Sequence, residues 1–206
     1  GEAGEFLLSI LTEWVLQAPQ LIAKMSLKTS RAMPVHGSDG IHGRFSAAHK
    51  TLTLFWGESK VHADVKQAIR DAIESIVEAN KPEKQQHEIK LVARYIDFAG
   101  LDDTSKKEFL RFLDPFDEAS NNKTNTTTCL IAFNSENYTK VAGIGANAEN
   151  KFRELVQAEL HSLSAEISRR LKAENIENQL IELFLLPVPS VEDLRKAFQA
   201  KIGWLP

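Results

Sequence analysis

The chain has 206 residues, 25 Lys+Arg against 28 Asp+Glu, and a formal charge of −3 at neutral pH. That length and a 43% hydrophobic content suit one domain with a filled core, and exclude both a basic arm and two large independent domains. The single Cys129 excludes a disulfide framework and a cysteine-rich zinc cluster, and the longest purely apolar runs, such as Phe184-Leu185-Leu186, fall far short of the ~20 residues that cross a bilayer.

Residues 4–17 carry Phe6, Leu7, Ile10, Leu11, Trp14 and Val15 at helical spacing, with Glu5, Ser9, Thr12 and Glu13 on the other side, which predicts an amphipathic first helix. Pro19 stops it, and the alternation over 21–28 predicts a strand. A turn containing Gly37, Asp39, Gly40 and Gly43 leads into a short second strand over 41–45. Residues 51–60, rich in β-branched and aromatic side chains, predict a third strand. Val65, Ala68, Ile69, Ala72, Ile73, Ile76 and Val77 then define a helix over 63–79, closed before Pro82.

Further helices are expected over 88–98 and 105–113, a polar loop over 121–128, and a short buried strand over 129–133. A long helix over 148–173 turns Phe152, Leu155, Val156, Leu160, Leu163, Ile167 and Leu171 inward. A last strand over 179–186 is broken by Pro187 and Pro189, and Ser190 caps a final helix. This order predicts an α/β fold, a mixed central sheet flanked by helices on both faces.

The chemistry concentrates on Asp39 and on Glu58-Ser59-Lys60. Side chains alternate along a strand, so Glu58 and Lys60 project from one face and Ser59 from the other. Asp39 converges on that face if the second and third strands are hairpin neighbours. Two close carboxylates repel unless a cation sits between them, and Mg²⁺ is typically held by one or two carboxylates with waters and phosphate oxygens. A lysine ammonium beside such an ion can position the attacking water and stabilise charge building on a phosphate. Gly57 permits close backbone approach just before the pair.

A helix, a strand, an Asp at the second strand, Glu-x-Lys on the third and then a helix resemble the restriction-endonuclease-like PD-(D/E)xK nuclease core. More narrowly, Leu54-Phe55-Trp56-Gly57-Glu58-Ser59-Lys60, Gly37-Ser38-Asp39-Gly40-Ile41-His42-Gly43 and Leu185-Leu186-Pro187-Val188-Pro189-Ser190-Val191 resemble the HamA family, effector subunits of the Hachiman anti-phage defence system. The resemblance implies a single nuclease domain over 1–206, a Mg²⁺-dependent DNase with Mn²⁺ as a substitute, and a superfamily 2 helicase partner, HamB, that restrains it. It implies Asp39 and Glu58 as metal ligands and Lys60 as the catalytic lysine. The same core often adds a glutamate from the first helix, for which Glu5 is chosen over Glu2 and Glu13 because it lies off the apolar stripe. Ser38 stands where the motif has its proline. The start at Gly1 with no Met suggests that an N-terminal portion lies upstream.

Other signals are weaker. Lys24, Lys28, Arg31, Arg44 and Lys50 could form a basic patch that grips DNA, or a strand edge guarded by cations, and His42 could touch metal or phosphate or serve as a structural hydrogen-bonding residue. The remaining histidines show no ligand spacing for zinc. Gly143-Ile144-Gly145-Ala146 imitates part of a dinucleotide-binding loop but lacks the following acid and any P-loop lysine. A cytoplasmic protein with no membrane association is the default expectation. The net charge of −3 argues against strong free affinity for DNA, but a nuclease delivered by a DNA-gripping partner needs only a local basic patch. A catalytically silent subunit that binds a helicase or DNA is the competing reading.

Overall fold

The computed structural model describes residues 1–23, 38–95 and 102–203. Among them, the strands β1 (Gln20–Ala23), β2 (Gly40–Ser46), β3 (Thr51–Val61), β4 (Lys123–Asn134) and β5 (Ile181–Val188) form one five-stranded sheet in the order β1-β2-β3-β4-β5. β1, β2 and β3 pair antiparallel, whereas β3, β4 and β5 pair parallel, so β3 is the strand on which the sheet changes sense. The expected mixed α/β sheet is therefore present.

The helices are α1 (Glu2–Leu16), α2 (Val65–Ala79), α3 (Pro82–Tyr95), α4 (Asp103–Leu113), the single turn α5 (Asn137–Lys140), α6 (Ala148–Ala173) and α7 (Val191–Lys201). Asp64 caps α2 by accepting from Gln67 N–H at 2.6 Å, and Ser190 caps α7 by accepting from Asp193 N–H at 3.1 Å. Ala68, Ile69, Ile73 and Ile76 of α2 and Ile167 of α6 pack on Cys129, Ile131 and Phe133 of β4. Burying each large side chain of this cluster stabilises the fold by roughly 1.5–3 kcal/mol. Further along the same face, Val92 of α3 with Phe109 and Phe112 of α4 cover Leu52, Leu54 and Trp56. The opposite face carries α1 and α7, with Val191 packed among Val61, Ala132 and Val188.

Several expectations need correction. The strand expected over 21–28 runs Gln20–Ala23, and the rest of that range lies outside the described residues. The helix expected from residue 88 begins at Pro82, because proline fits the first helical position, where no amide hydrogen bond is required; residues 96–98 of that range are outside the described set. The polar loop expected over 121–128 is mostly strand, since β4 already faces β3 at Leu52↔Lys123. β-Branched threonines suit a central strand once their hydroxyls find backbone partners. Pro187 does not break β5 but sits opposite Phe133 inside it. β5 ends the strand order among the described residues, so a missing N–H there need cost no ladder bond.

The largest correction concerns α1. Its buried residues are Ala3, Gly4, Leu8 and Thr12, while Phe6, Trp14 and Val15 are 48%, 76% and 60% exposed. The helix seats closely on β3: a Cβ on Gly4 would come 2.7 Å from Val61 Cγ2 and 2.9 Å from Ser59 Oγ. Small side chains make that approach possible, and Thr12 is tolerated there because its hydroxyl donates to Leu8 O at 2.8 Å. The bulky stripe is left on the flank and outer surface.

Candidate active site

The hairpin of β2 and β3 closes its register at Gly40↔Gly57, and β3 then continues through Glu58, Ser59, Lys60 and Val61 with β4 alone beside it. Asp39 takes over the abandoned edge. Its N–H donates to Gly57 O at 2.7 Å, and its Oδ2 accepts from Ser59 N–H at 2.8 Å and Ser59 Oγ at 2.7 Å. A carboxylate thus substitutes for the missing strand partner and is fixed at the end of β3. Gly57 is required for this geometry, because a Cβ there would meet Gly40 O at 3.0 Å and Leu8 Cδ2 at 3.2 Å.

Glu58 and Lys60 share one face of β3, and Lys60 Nζ lies 2.7 Å from Glu58 Oε1, the Glu58 side chain being 17% exposed and that of Lys60 21%. Ser75 of α2 lies on the same side of the site and favours the charged form of Glu58. Burial, and then the charge of Asp39, push the Glu58 carboxyl above its ordinary range, although Lys60 and Ser75 pull the other way. Burial works against the Lys60 ammonium, but the hydrogen bond and charge of Glu58 and the charge of Asp39 outweigh it and hold Lys60 above its ordinary value. Asp39, Glu58 and Lys60 therefore act on one another electrostatically.

Cys129 lies opposite Glu58 in the parallel register, fully buried, and burial pushes its thiol far up. It is an inert wall of the site. Beyond Lys60 on the same alternation, His62 Nε2 lies 3.3 Å from Asp71 Oδ2, and Gln67 Nε2 donates to Asp71 Oδ1 at 2.6 Å.

Not every expected residue joins this cluster. Glu5 is half-buried beside Gly4, and among the described residues no group of three or more His, Cys, Asp or Glu is placed to hold one metal ion. His42 is 1% exposed, its Nδ1 is 3.0 Å from Ala18 O, and burial lowers its pKa. That is a structural histidine with no surface for a phosphate. Arg44 donates to Leu16 O at 2.8 Å and lies over the Phe55 ring. It pairs with Thr53, so it stands five residues, about 17 Å, back along β3 from Glu58. Lys24, Lys28 and Arg31 lie outside the described residues.

Sequence reasoning missed Ser59, which it aimed at the other face; its hydroxyl does leave by that face but bends to Asp39. It also missed Ser75 and Glu88. Glu88 Oε1 and Oε2 accept from Ser38 N–H and Ser38 Oγ, each at 2.6 Å. No local pattern marks a partner 50 residues away.

Two carboxylates at one strand end, with a lysine beside them, fit the donor chemistry of a hydrated Mg²⁺ with open positions rather than a closed protein cage, with Asp39 and Glu58 the residues that would hold it. These elements define an α/β domain whose mixed sheet presents a carboxylate–lysine cluster at the carboxyl end of its central strand. The chain belongs to the HamA family, whose model matches residues 1–202. No curated protein and no solved structure matches it significantly. Among the described residues, no helix is long and apolar enough to cross a membrane.

Proposed function

We propose that the chain is a Mg²⁺-dependent DNase with a PD-(D/E)xK core, with Mn²⁺ able to substitute, and that it serves as the effector of a Hachiman anti-phage defence complex with a superfamily 2 helicase. Family membership supports the defence context. The observation that carries the chemistry is the meeting of Asp39 with the Glu58–Lys60 pair at the end of β3. The order of α1, β1 to β3, α2 and β4 is compatible with that nuclease core.

In this reading Asp39 and Glu58 hold the cation, and Ser59 orients the Asp39 carboxylate. When bound, Mg²⁺ supplies a polarised phosphoryl oxygen and an attacking water of lowered pKa. Lys60 neutralises Glu58 in the metal-free protein. With a cation to offset Glu58, the Lys60 ammonium would be available to the phosphate, where it would stabilise the developing negative charge. Glu58 sits in a partly buried setting, so its negative charge is costly until a cation or Lys60 offsets it. The test is degradation of plasmid DNA by the purified chain with Mg²⁺ against the same reaction with EDTA. Metal-stimulated cleavage supports the proposal.

A second reading, a silent interaction subunit, is favoured by one observation: the outward Phe6, Trp14 and Val15 of α1. Exposed large apolar side chains become a partner surface where they join into one patch, for which Trp14 and Val15, adjacent in the sequence, are the candidates. The two readings are compatible if the partner covers α1 while the strand end remains the site of chemistry. An absence of cleavage by the free chain together with tight helicase binding would favour the silent subunit.

A further inference from the structure

Glu88 lies in the middle of α3, 6% exposed, where a carboxylate needs a reason to be buried. Both of its oxygens are used on one residue: Oε1 accepts Ser38 N–H and Oε2 accepts Ser38 Oγ, each at 2.6 Å. Gripping a backbone amide and the hydroxyl of the same residue fixes the backbone and the side-chain torsion together. The next residue is Asp39, held from the opposite side through its N–H on Gly57 O at 2.7 Å and its Oδ2 on Ser59 N–H and Oγ. Two clamps thus flank a single peptide unit, one from α3 and one from β3. A proline before the aspartate would restrict that backbone internally. Here Ser38 occupies the position, and the restriction comes from a helix 50 residues away.

We propose that Glu88 is a positioning residue which, through Ser38, sets the orientation of the Asp39 carboxylate and with it the affinity of the site for a divalent cation. The inference rests on the reading of Asp39 and Glu58 as metal ligands. Groups that hold a ligating carboxylate in place typically contribute 10–100-fold to metal affinity or activity.

Glutamine can keep this clamp without the charge, since its carbonyl oxygen accepts from Ser38 N–H and its NH₂ donates to a rotated Ser38 hydroxyl. Alanine keeps neither contact. Mn²⁺ binding to the full chain, measured by electron paramagnetic resonance without DNA, is the primary readout, with the Mg²⁺ concentration for half-maximal plasmid cleavage beside it. Glu88→Ala is expected to weaken Mn²⁺ binding about 10–100-fold, and Glu88→Gln to stay close to the parent. If Glu88→Ala does not fold, Ser38→Ala, which removes one contact at a half-buried position, is expected to weaken binding in the same direction. Glu88→Ala binding Mn²⁺ like the parent while folded, or Glu88→Gln failing as badly as Glu88→Ala, would overturn the proposal. Glu58→Ala separates the two layers: if the parent's Mn²⁺ binding survives that substitution, the metal-site reading itself fails; if Glu58→Ala abolishes binding and Glu88→Ala does not alter it, only the positioning role is lost.

Discussion

Lys60 Nζ lies 2.7 Å from Glu58 Oε1 on one face of β3, and Asp39 reaches the same strand end by bonding to Ser59 between them. The Lys60 ammonium is shared with a carboxylate whose own burial disfavours its charge. On the proposed reading, the pair would exchange partners when a metal ion and a phosphate arrive.

That balance sets a pH dependence. As a metal ligand Glu58 would bind a cation only when ionised, and its folded pKa is raised by burial and by Asp39. Cation affinity should therefore rise as pH climbs through a point above the ordinary carboxylate range, and fall below it. Because Lys60 pulls the Glu58 pKa down, Lys60→Met should move this acid limb to higher pH. Mn²⁺ titrations across pH check it; an unmoved limb would mean that Lys60 does not set the ionisation of Glu58.

Ser59→Ala removes the 2.7 Å hydroxyl contact to Asp39 Oδ2 but leaves the backbone N–H contact. A hydrogen bond to a charged group contributes about 1.5 kcal/mol at this partly exposed place, so a small loss of stability in urea unfolding is expected. Cleavage should fall further, by roughly 10-fold or more, because Asp39 loses orientation as well as energy.

Gly57→Ala places a methyl 3.0 Å from Gly40 O and 3.2 Å from Leu8 Cδ2. Backbone cannot yield as a flexible side chain can, so overpacking of about 1–3 kcal/mol is expected, read as a lower Tm. The same displacement separates β2 from β3 at Asp39, and Mg²⁺-dependent cleavage should drop with it.

Trp14→Ser with Val15→Ser should change the stability of the isolated chain by no more than about 0.5 kcal/mol per site, since both are exposed. If α1 is the partner surface, co-purification of the helicase subunit should weaken markedly. Unaltered association would place that interface elsewhere.

Much of this arrangement was legible in the sequence because it is local. Residues 51–60 carry a strong strand pattern, and the period of two alone puts Glu58 and Lys60 on one face. The β2–β3 hairpin, turned at residues 47–50, brings Asp39 back beside them, while Gly40 and Gly43 of the expected turn lie inside β2. What periodicity could not see was tertiary. Phe6, Trp14 and Val15 of the α1 stripe are left exposed, because the helix seats closely on Ser59 and Val61 through Gly4 rather than through a large side chain. His42 looks like a turn histidine until β1 and the end of α1 enclose it on Ala18 O. Glu88 and Ser38 meet only because α3 crosses back over the start of β2, and no spacing rule reports that.

The central claim is tested most directly by plasmid degradation with the purified chain and its Glu58→Ala/Lys60→Ala double variant, each with Mg²⁺ and with EDTA, alongside circular dichroism and binding to the helicase subunit. The account predicts Mg²⁺-dependent degradation by the parent and none by the double variant, with folding and partner binding retained. A folded double variant that degrades DNA as fast as the parent would contradict it.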